Sequence, residues 1–359
     1  MGRVAVRNVY VDYVLSGSSQ ISAVDLSEAV DGRFSHDQIS RMLSSGEVND
    51  KMLYQQSKIL IKQKSVKGPV TLSIDDSIQP KPYSEVNGVV NWHYDHTKGW
   101  CVKGINFVSA LWSDEKVSVP LSLHVVEKEL VWNEKKDTEE WQIKTSKNEL
   151  FCQMAGRLTR SKEVDYVLSD SWYSSKENMQ FVFEQCETNF IMALKSNRLV
   201  TRSEKEAAKS NFRPLEELRL GKRAVKLYLK GLDFPVLVVK KVFKNGEKSS
   251  GTLYLASSDL ELGYEDIFNL YKRPWKIEEY HKSLKSNCSL GKCQAHSHVT
   301  QKSHFYCAAL AYLLLEKTKA KEDKNHFALK KELTILQVKY GMKAIRKHLH
   351  ASKYTKMAA

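Results

Sequence analysis

Residues 70–76 read VTLSIDD and residues 164–170 read VDYVLSD. In the first, Val70, Leu72 and Ile74 alternate with Thr71, Ser73 and Asp75, the period of a strand that ends in carboxylates. In the second, Val164 to Leu168 is a short apolar strand ending at Ser169-Asp170. Working outward, Val102–Leu111 and Val117–Val126 read as two more strands joined by the turn-like Ser113-Asp114, and Asn133–Glu140 as a charged loop. Leu150–Arg160 and Ser174–Gln185 have helical spacing, and Phe190–Leu194 is a further strand. Three strands, helix, strand, helix predicts an α/β layer arrangement on a mixed sheet. In an open α/β sheet the crevice at strand ends is the usual place for a site. That makes Asp75 (or its neighbour Asp76) and Asp170 candidates, although Asp also favours turns and helix caps.

On either side of this core the pattern changes. Residues 20–65 read as a small helical unit: Ser27–Val30 forms one short helix, Gly32 stops it, and Ser35 with Gln38 makes a capping box opening the next. Two short helices around a glycine-containing turn suit a helix-turn-helix, with Arg41 facing outward. From Arg198 to Ser257 the chain is β-rich (Ala224–Leu229, Val236–Phe243, Thr252–Leu255, with a turn at Lys244-Asn245-Gly246), an insertion in the sheet domain. Helices resume at Tyr264 and run to about residue 350. The predicted divisions are 1–66, an N-terminal helical DNA-binding unit; 67–197, the first part of the sheet domain; 198–258, the insertion; 259–316, its closing helices; and 317–359, a basic helical region.

Residues 271–285, YKRPWKIEEYHKSLK, hold the third acidic candidate. Proline is at home in a first helical turn, so a new helix starts at or just before Pro274. Trp275, Glu278, Lys282 and Lys285 then share one face, while Ile277 and Leu284 lie on the other. A carboxylate flanked by ammonium groups and an indole suits phosphate chemistry, the Glu holding a metal while the lysines grip phosphates. A solvated Glu278–Lys282 pair is the plainer account of the same spacing.

Charge points the same way. The 359 residues carry 56 Lys and Arg against 42 Asp and Glu, a net +14. Ser286–Ala359 alone hold 14 basic and four acidic residues. A concentrated basic patch is the footprint of a polyanion, nucleic acid before an anionic membrane surface, unless it merely solubilises the chain. The longest uncharged apolar run, Phe305–Leu315, is too short for a membrane span and reads as core, and no secretory signal opens the chain. Six scattered cysteines (101, 152, 186, 288, 293, 307) read as reduced thiols, so a cytoplasmic, nucleoid-associated protein is expected.

The stretches IDDS, VLSDSWYSS and YKRPWKIEEYHKSLK, in that order, together with IQPKPYSEVNGVVNWHYDHTKGWCVKGINFV, resemble the DDE transposases of bacterial insertion sequences. The subgroup they resemble has a Tyr-Arg-Glu-Lys signature around the catalytic Glu and a β-strand insertion before it. The likeness covers roughly residues 20–315. It implies an RNase H-like sheet, two Mg²⁺ (or Mn²⁺) ions per active site, and cut-and-paste transposition through a hairpin intermediate. It also implies a homodimer that synapses terminal inverted repeats and joins them to target DNA. By the resemblance Asp75 (with Asp76 as the alternative), Asp170 and Glu278 are the catalytic metal ligands, and Tyr271, Lys282 and Lys285 contact DNA. The signature Arg falls on Pro274, while Arg273 stands one residue earlier and either reaches the same phosphate from the preceding turn or leaves that contact weakened. Trp275 joins the DNA-binding set, and Tyr254, on the inserted strands, stands where relatives use an aromatic to hold a flipped base.

Two other clusters compete for attention. Cys288, Cys293, His296, His298, His304 and Cys307 invite a zinc reading, but their spacing fits no tight zinc pattern, and a DNA-facing loop of the His residues with Lys292, or simply a surface, is the better account. His93 and His96, in WHYDH, would position water or contact DNA near Asp75, or simply sit in a polar hairpin. Rival functions are a catalytically decayed transposase acting as a repressor, and a metal-dependent nuclease without strand transfer.

Overall fold

The computed structural model describes residues 3–17, 20–63, 68–96, 98–160, 163–245, 249–272, 275–322 and 324–356. Four helices open the chain: α1 (Arg3–Ser16), α2 (Ala23–Ala29), α3 (His36–Ser44) and α4 (Asp50–Lys62). Strands β1 (Thr71–Pro80), β2 (Asn91–Asp95), β3 (Trp100–Ser113) and β4 (Ser118–Val125) follow, then the hairpin β5 (Lys128–Asn133) and β6 (Thr138–Ile143). Next come α5 (Lys147–Leu158), β7 (Tyr166–Ser169), α6 (Lys176–Gln180) and β8 (Asn189–Leu194). The inserted stretch supplies β9 (Leu199–Thr201), α7 (Glu204–Ala208), β10 (Arg213–Pro214), β11 (Val225–Leu229), β12 (Pro235–Asn245) and β13 (Ser249–Ser257). Helices α8 (Tyr264–Tyr271), α9 (Trp275–Ser286), α10 (His298–Glu322) and α11 (His326–Lys356) close the chain.

These elements fall into two compact units, Asp50–His281 and a second made of Met1–Asn49 with Lys282–Ala359. The first is built on an eleven-stranded mixed sheet in the order β10-β9-β11-β12-β13-β8-β7-β1-β3-β2, with β4 also on β3. Strands β1, β3 and β4 pair antiparallel, while β7 runs parallel to both β1 and β8. With helices flanking the sheet, this is the RNase H-like α/β arrangement expected from the strand order. The inserted strands widen the same sheet, because β13 pairs with β8. Alternation in β1 and the apolar runs of β7 and β8 bury Leu72, Ile74, Val167, Leu168 and Ile191 completely. Apolar residues of α8, Ile267, Phe268 and Leu270, cover one part of the sheet against Leu168, Ile191, Val239 and Leu255. Gly104 lies where β3 crosses closest to β1: a Cβ there would come 2.3 Å from the Gln79 carbonyl oxygen.

Helix α4 is fixed to β4 by buried polar contacts. Ser57 donates to the Pro120 carbonyl at 2.5 Å, and Asp50 accepts from Ser122 Oγ and the Leu123 N–H. Burial pushes the Asp50 carboxyl up, but the hydrogen bond and charge of His124, and the Arg157 guanidinium at 2.6 Å, together hold it down at about 2.

In the second unit α2 and α3 form the helix pair read from the sequence. Gly32 takes φ +71° in the turn, Ser35 and Gln38 make the reciprocal capping box, and Arg41 is exposed. Within this unit the Tyr10 hydroxyl lies 2.9 Å from His304 Nδ1, and His304 Nε2 donates to the Ser289 carbonyl at 3.0 Å. Both ring nitrogens of the buried His304 are thus engaged within the core. Cys288, Cys293 and Cys307 are buried, and burial pushes the Cys288 thiol up to about 12. His296 and His298 are exposed. Helix α11 leaves Ile335, Leu336, Val338, Tyr340, Met342 and Ile345 exposed. Among the described residues no helix is long and apolar enough to cross a membrane.

The predicted loop at Asn133–Glu140 is shorter than expected: residues 134–137 form the turn, while Asn133 and residues 138–140 belong to the paired strands β5 and β6. The predicted helix at Ser174–Gln185 starts with Ser175 as N-cap and ends in a π-helical turn, Phe181–Gln185.

Candidate active site

The parallel pairing of β1 with β7 sets Leu72 opposite Val167 and Ser73 opposite Leu168, so the same register carried two residues on brings Asp75 level with Asp170. On its other side Asp75 pairs with Ser109 of β3. Helix α9 carries Glu278, exposed, while Ile277 and Tyr280 are buried. Asp75 senses both of the other two acidic side chains, and Glu278 senses Asp170. Asp75 is pushed well above the ordinary carboxylate range by burial, then by the charges of Asp170, Asp76 and Glu278. Asp170 keeps an open side toward solvent, yet partial loss of hydration raises its pKa and Asp76 adds to it. Glu278 is raised by loss of hydration and then by Asp170. The Tyr271 hydroxyl, 3.4 Å from the Ser169 carbonyl, is raised by burial and by all three of these carboxylates. Among the described residues no group of three or more His, Cys, Asp or Glu side chains forms a ready-made metal cage.

Asp76 points into different company. Its Oδ2 lies 2.7 Å from Lys147 Nζ and its Oδ1 accepts from the Tyr173 hydroxyl at 3.0 Å, so both oxygens are engaged. Asp75 instead faces His281, whose Nδ1 is 3.9 Å from Oδ2 and whose Nε2 is 2.7 Å from Ser109 Oγ. Asp170 closes a tight turn by accepting the Trp172 N–H at 2.9 Å. It does not cap the following helix, a role that belongs to Ser175.

The remaining sequence candidates divide sharply. Lys282 is exposed with its ammonium 5.2 Å from the Phe327 ring, and Lys285 is half-buried. Tyr254 is only 3 % exposed and lies under Lys240, so it presents no face to DNA. Arg273 and the side chain of Trp275 lie outside the described residues. His93 is buried and held neutral, at about 4, by burial and by Lys128 and Lys147, which removes it as a cationic phosphate contact. His96 is exposed, its ring 4.9 Å from Tyr94 and 4.6 Å from Trp172. His281, Lys147 and Tyr173 were not foreseen. For His281 the signal was present, three residues past Glu278 on the same helix. For the other two it was not, because Lys147 meets Asp76 across 71 residues of chain.

Two family models match the chain. One, described as DDE superfamily endonuclease, covers residues 3–224, more than half of the molecule. The other, described as transposase DDE domain, covers residues 142–314. No curated protein matches.

Proposed function

The chain belongs to the DDE superfamily of endonucleases, and on that premise we propose that it is the transposase of an insertion sequence, acting by cut-and-paste. What supports this reading is that Asp75, Asp170 and Glu278 come from a strand, a strand end and a helix and that, after burial, Asp170 and Glu278 both raise the pKa of Asp75 while Asp170 raises that of Glu278. Structural ion pairs do the opposite to carboxylates, so mutual repulsion marks a site built for cations. The donor set is all oxygen, which fits Mg²⁺ or Mn²⁺, and the superfamily is generally dependent on divalent metal. A bound pair of such ions would lower the pKa of the attacking hydroxyl and stabilise the leaving oxygen.

The chain's own groups do the rest. Asp75, Asp170 and Glu278 serve as the ligands. His281, braced on Ser109, fixes the side of Asp75 that faces α9. Lys147 and Tyr173 neutralise Asp76 and keep it out of the ligand set. Tyr271, its phenol kept protonated, turns its hydroxyl from the Ser169 carbonyl to a DNA phosphate when the strand is bound, and Lys282 and Lys285 follow Glu278 along α9 as phosphate contacts. Arg273 and Trp275 complete the signature. Water opens the strand at the element's end; the 3′-hydroxyl so freed attacks the opposite strand and displaces the 3′-oxygen of the flanking DNA to close a hairpin, and a second water reopens the hairpin, restoring the 3′-hydroxyl that then displaces a 3′-oxygen of the target. No covalent protein intermediate is required. Residues 1–66 serve as the end-binding unit and 317–359 as a basic clamp. The exposed apolar residues of α11 support pairing of two copies in the synaptic complex.

Incubation with Mg²⁺ and the DNA flanking its own gene tests the reading. Hairpin and joined product support it, nicks alone would make the protein a simple nuclease, and binding without cutting would make it a repressor. Asp170→Asn and Glu278→Gln are each expected to abolish cutting while DNA binding, measured by gel shift, survives. Retained cleavage in either variant would remove the assignment.

A further inference from the structure

The β5–β6 hairpin forms a sheet of its own, apart from the eleven-stranded one. Its register sets Leu130 opposite Trp141, Lys128 opposite Ile143 and Trp132 opposite Glu139, so Leu130, Trp132, Trp141, Ile143 and Glu139 share one face. Leu130, Trp132 and Ile143 are exposed, Trp132 by 57 %. A two-stranded ribbon is marginally stable at best in water, and a helix packed on its apolar face is one of the layers that secure it. Charge indicates which kind of helix. Residues 127–144 hold six acidic and four basic residues, in a chain whose net charge is +14. The ribbon therefore suits a basic apolar partner rather than a phosphate backbone.

Helix α11 has that character. Every residue from 335 to 347 is exposed. Ile335, Val338, Met342 and Ile345 fall at i, i+3, i+7 and i+10, which is one apolar seam. The same stretch holds four basic residues and no acidic one. Lys331 lies in line with the seam one turn ahead of it, and Lys339 lies along its border, both exposed. The seam is about 15 Å long, and the six-residue strands of the ribbon run about 17 Å. Pairing two α11 helices along this seam would bring like charges together, whereas a helix laid on the ribbon meets opposite ones.

We propose that α11 of one copy docks across the apolar face of the β5–β6 ribbon of a second copy. Trp132 and Trp141 lie on the Ile335–Ile345 seam, and Lys331 and Lys339 stand beside the ribbon's acidic residues. In a two-fold dimer the contact forms twice. Lys343 and Lys347 fall outside the seam and stay available to DNA. The proposal rests on the reading that two copies act together, and it names the surfaces through which they do.

The test is sedimentation velocity of the full chain without DNA or metal. The wild type is expected to form a dimer whose dissociation constant rises with KCl, because opposite charges meet across the contact. One variant reverses the helix, Lys331→Glu with Lys339→Glu, and another reverses the ribbon, Glu134→Lys with Glu139→Lys. Alone, each places like charges at both contacts of its own dimer and should dimerise at least about tenfold more weakly. Mixed in equal amounts the two should recover the wild-type affinity. In that heterodimer one contact joins the two reversed surfaces and the other joins the two native ones. Recovery also shows that both variants are folded. A ribbon variant that dimerises normally by itself would place the contact between two α11 helices and overturn the proposal. So would variants that stay monomeric when mixed, a wild type monomeric at every concentration, or a dimer that tightens as KCl is added. No bond is cut in these measurements. A cleaving Asp170→Asn variant would therefore sink the transposase reading without altering them, and loss of the ribbon contact would leave the carboxylates and their cutting untouched.

Discussion

Asp75 and Asp76 are adjacent in sequence and opposite in circumstance. Strand alternation sends them to opposite faces, one toward Asp170 and Glu278 and the other into the hands of Lys147 and Tyr173. The folded state therefore holds Asp75 with a raised pKa. In metal-free protein its contribution to stability is fully present below the unfolded carboxylate value, about 4, and is lost as pH rises through the folded value. Asp75→Asn removes the charge that causes this loss. It is expected to raise the melting temperature in EDTA at neutral pH while abolishing cleavage. Asp76→Asn should do the reverse to stability, since it strands Lys147 in a half-buried setting at a cost of up to about 3 kcal/mol. Thermal melts of both variants with and without Mg²⁺ decide the matter: a destabilised Asp75→Asn, or a stabilised Asp76→Asn, would exchange the two roles.

At the scale of elements, what could be read from the sequence was what local patterning writes. The alternation of β1, the apolar run of β7, the proline ahead of α9 and the capping box of α3 each announce themselves within a dozen residues. These elements carry all three candidate carboxylates, so their placement on a strand, at a strand end and on a helix could be read from the sequence. The misses were non-local or two-sided. The β5–β6 hairpin exposes charged residues on both strands and lacks the period that separates a strand from a loop. Arg198 and Lys230 approach the turn at residues 171–175 only because β9 pairs with β11, which no spacing in the sequence records. Tyr254 failed for a related reason, because pairing of β13 between β12 and β8 turns a strand that looked peripheral into a central, buried one. Local signals also permit a local test. Ser35→Ala removes one half of the α3 capping box, and should cost about 1 kcal/mol, read as faster hydrogen exchange at the first-turn amides of α3. Unchanged exchange there would mean that packing of Ile39, Met42 and Leu43 alone holds the helix.

Over the whole molecule, catalysis and affinity draw on separate charge distributions. The candidate site is a knot of negative charge inside the sheet-bearing unit, whereas the chain as a whole carries +14, much of it in α10 and α11. On the proposed reading, a negative site repels the phosphate to be cut, so something else has to bring DNA to it and hold it there. Basic residues spread over the long helices would serve that purpose through counterion release, a term that depends on how many phosphates are neutralised. Two consequences differ in kind. Substituting a ligand carboxylate should leave the salt dependence of binding unchanged, because no phosphate contact is lost. Substituting Lys343, Arg346 or Lys347, all exposed on α11, by Gln should flatten the slope of log K against log salt by about one for each residue that touches a phosphate, with no preference among sequences. Anisotropy titrations of the full-length chain over a range of KCl concentrations read this directly. A triple Gln variant with the wild-type slope would show that α11 contributes nothing to holding DNA, and the basic clamp would have to be sought on the helices of the N-terminal region instead.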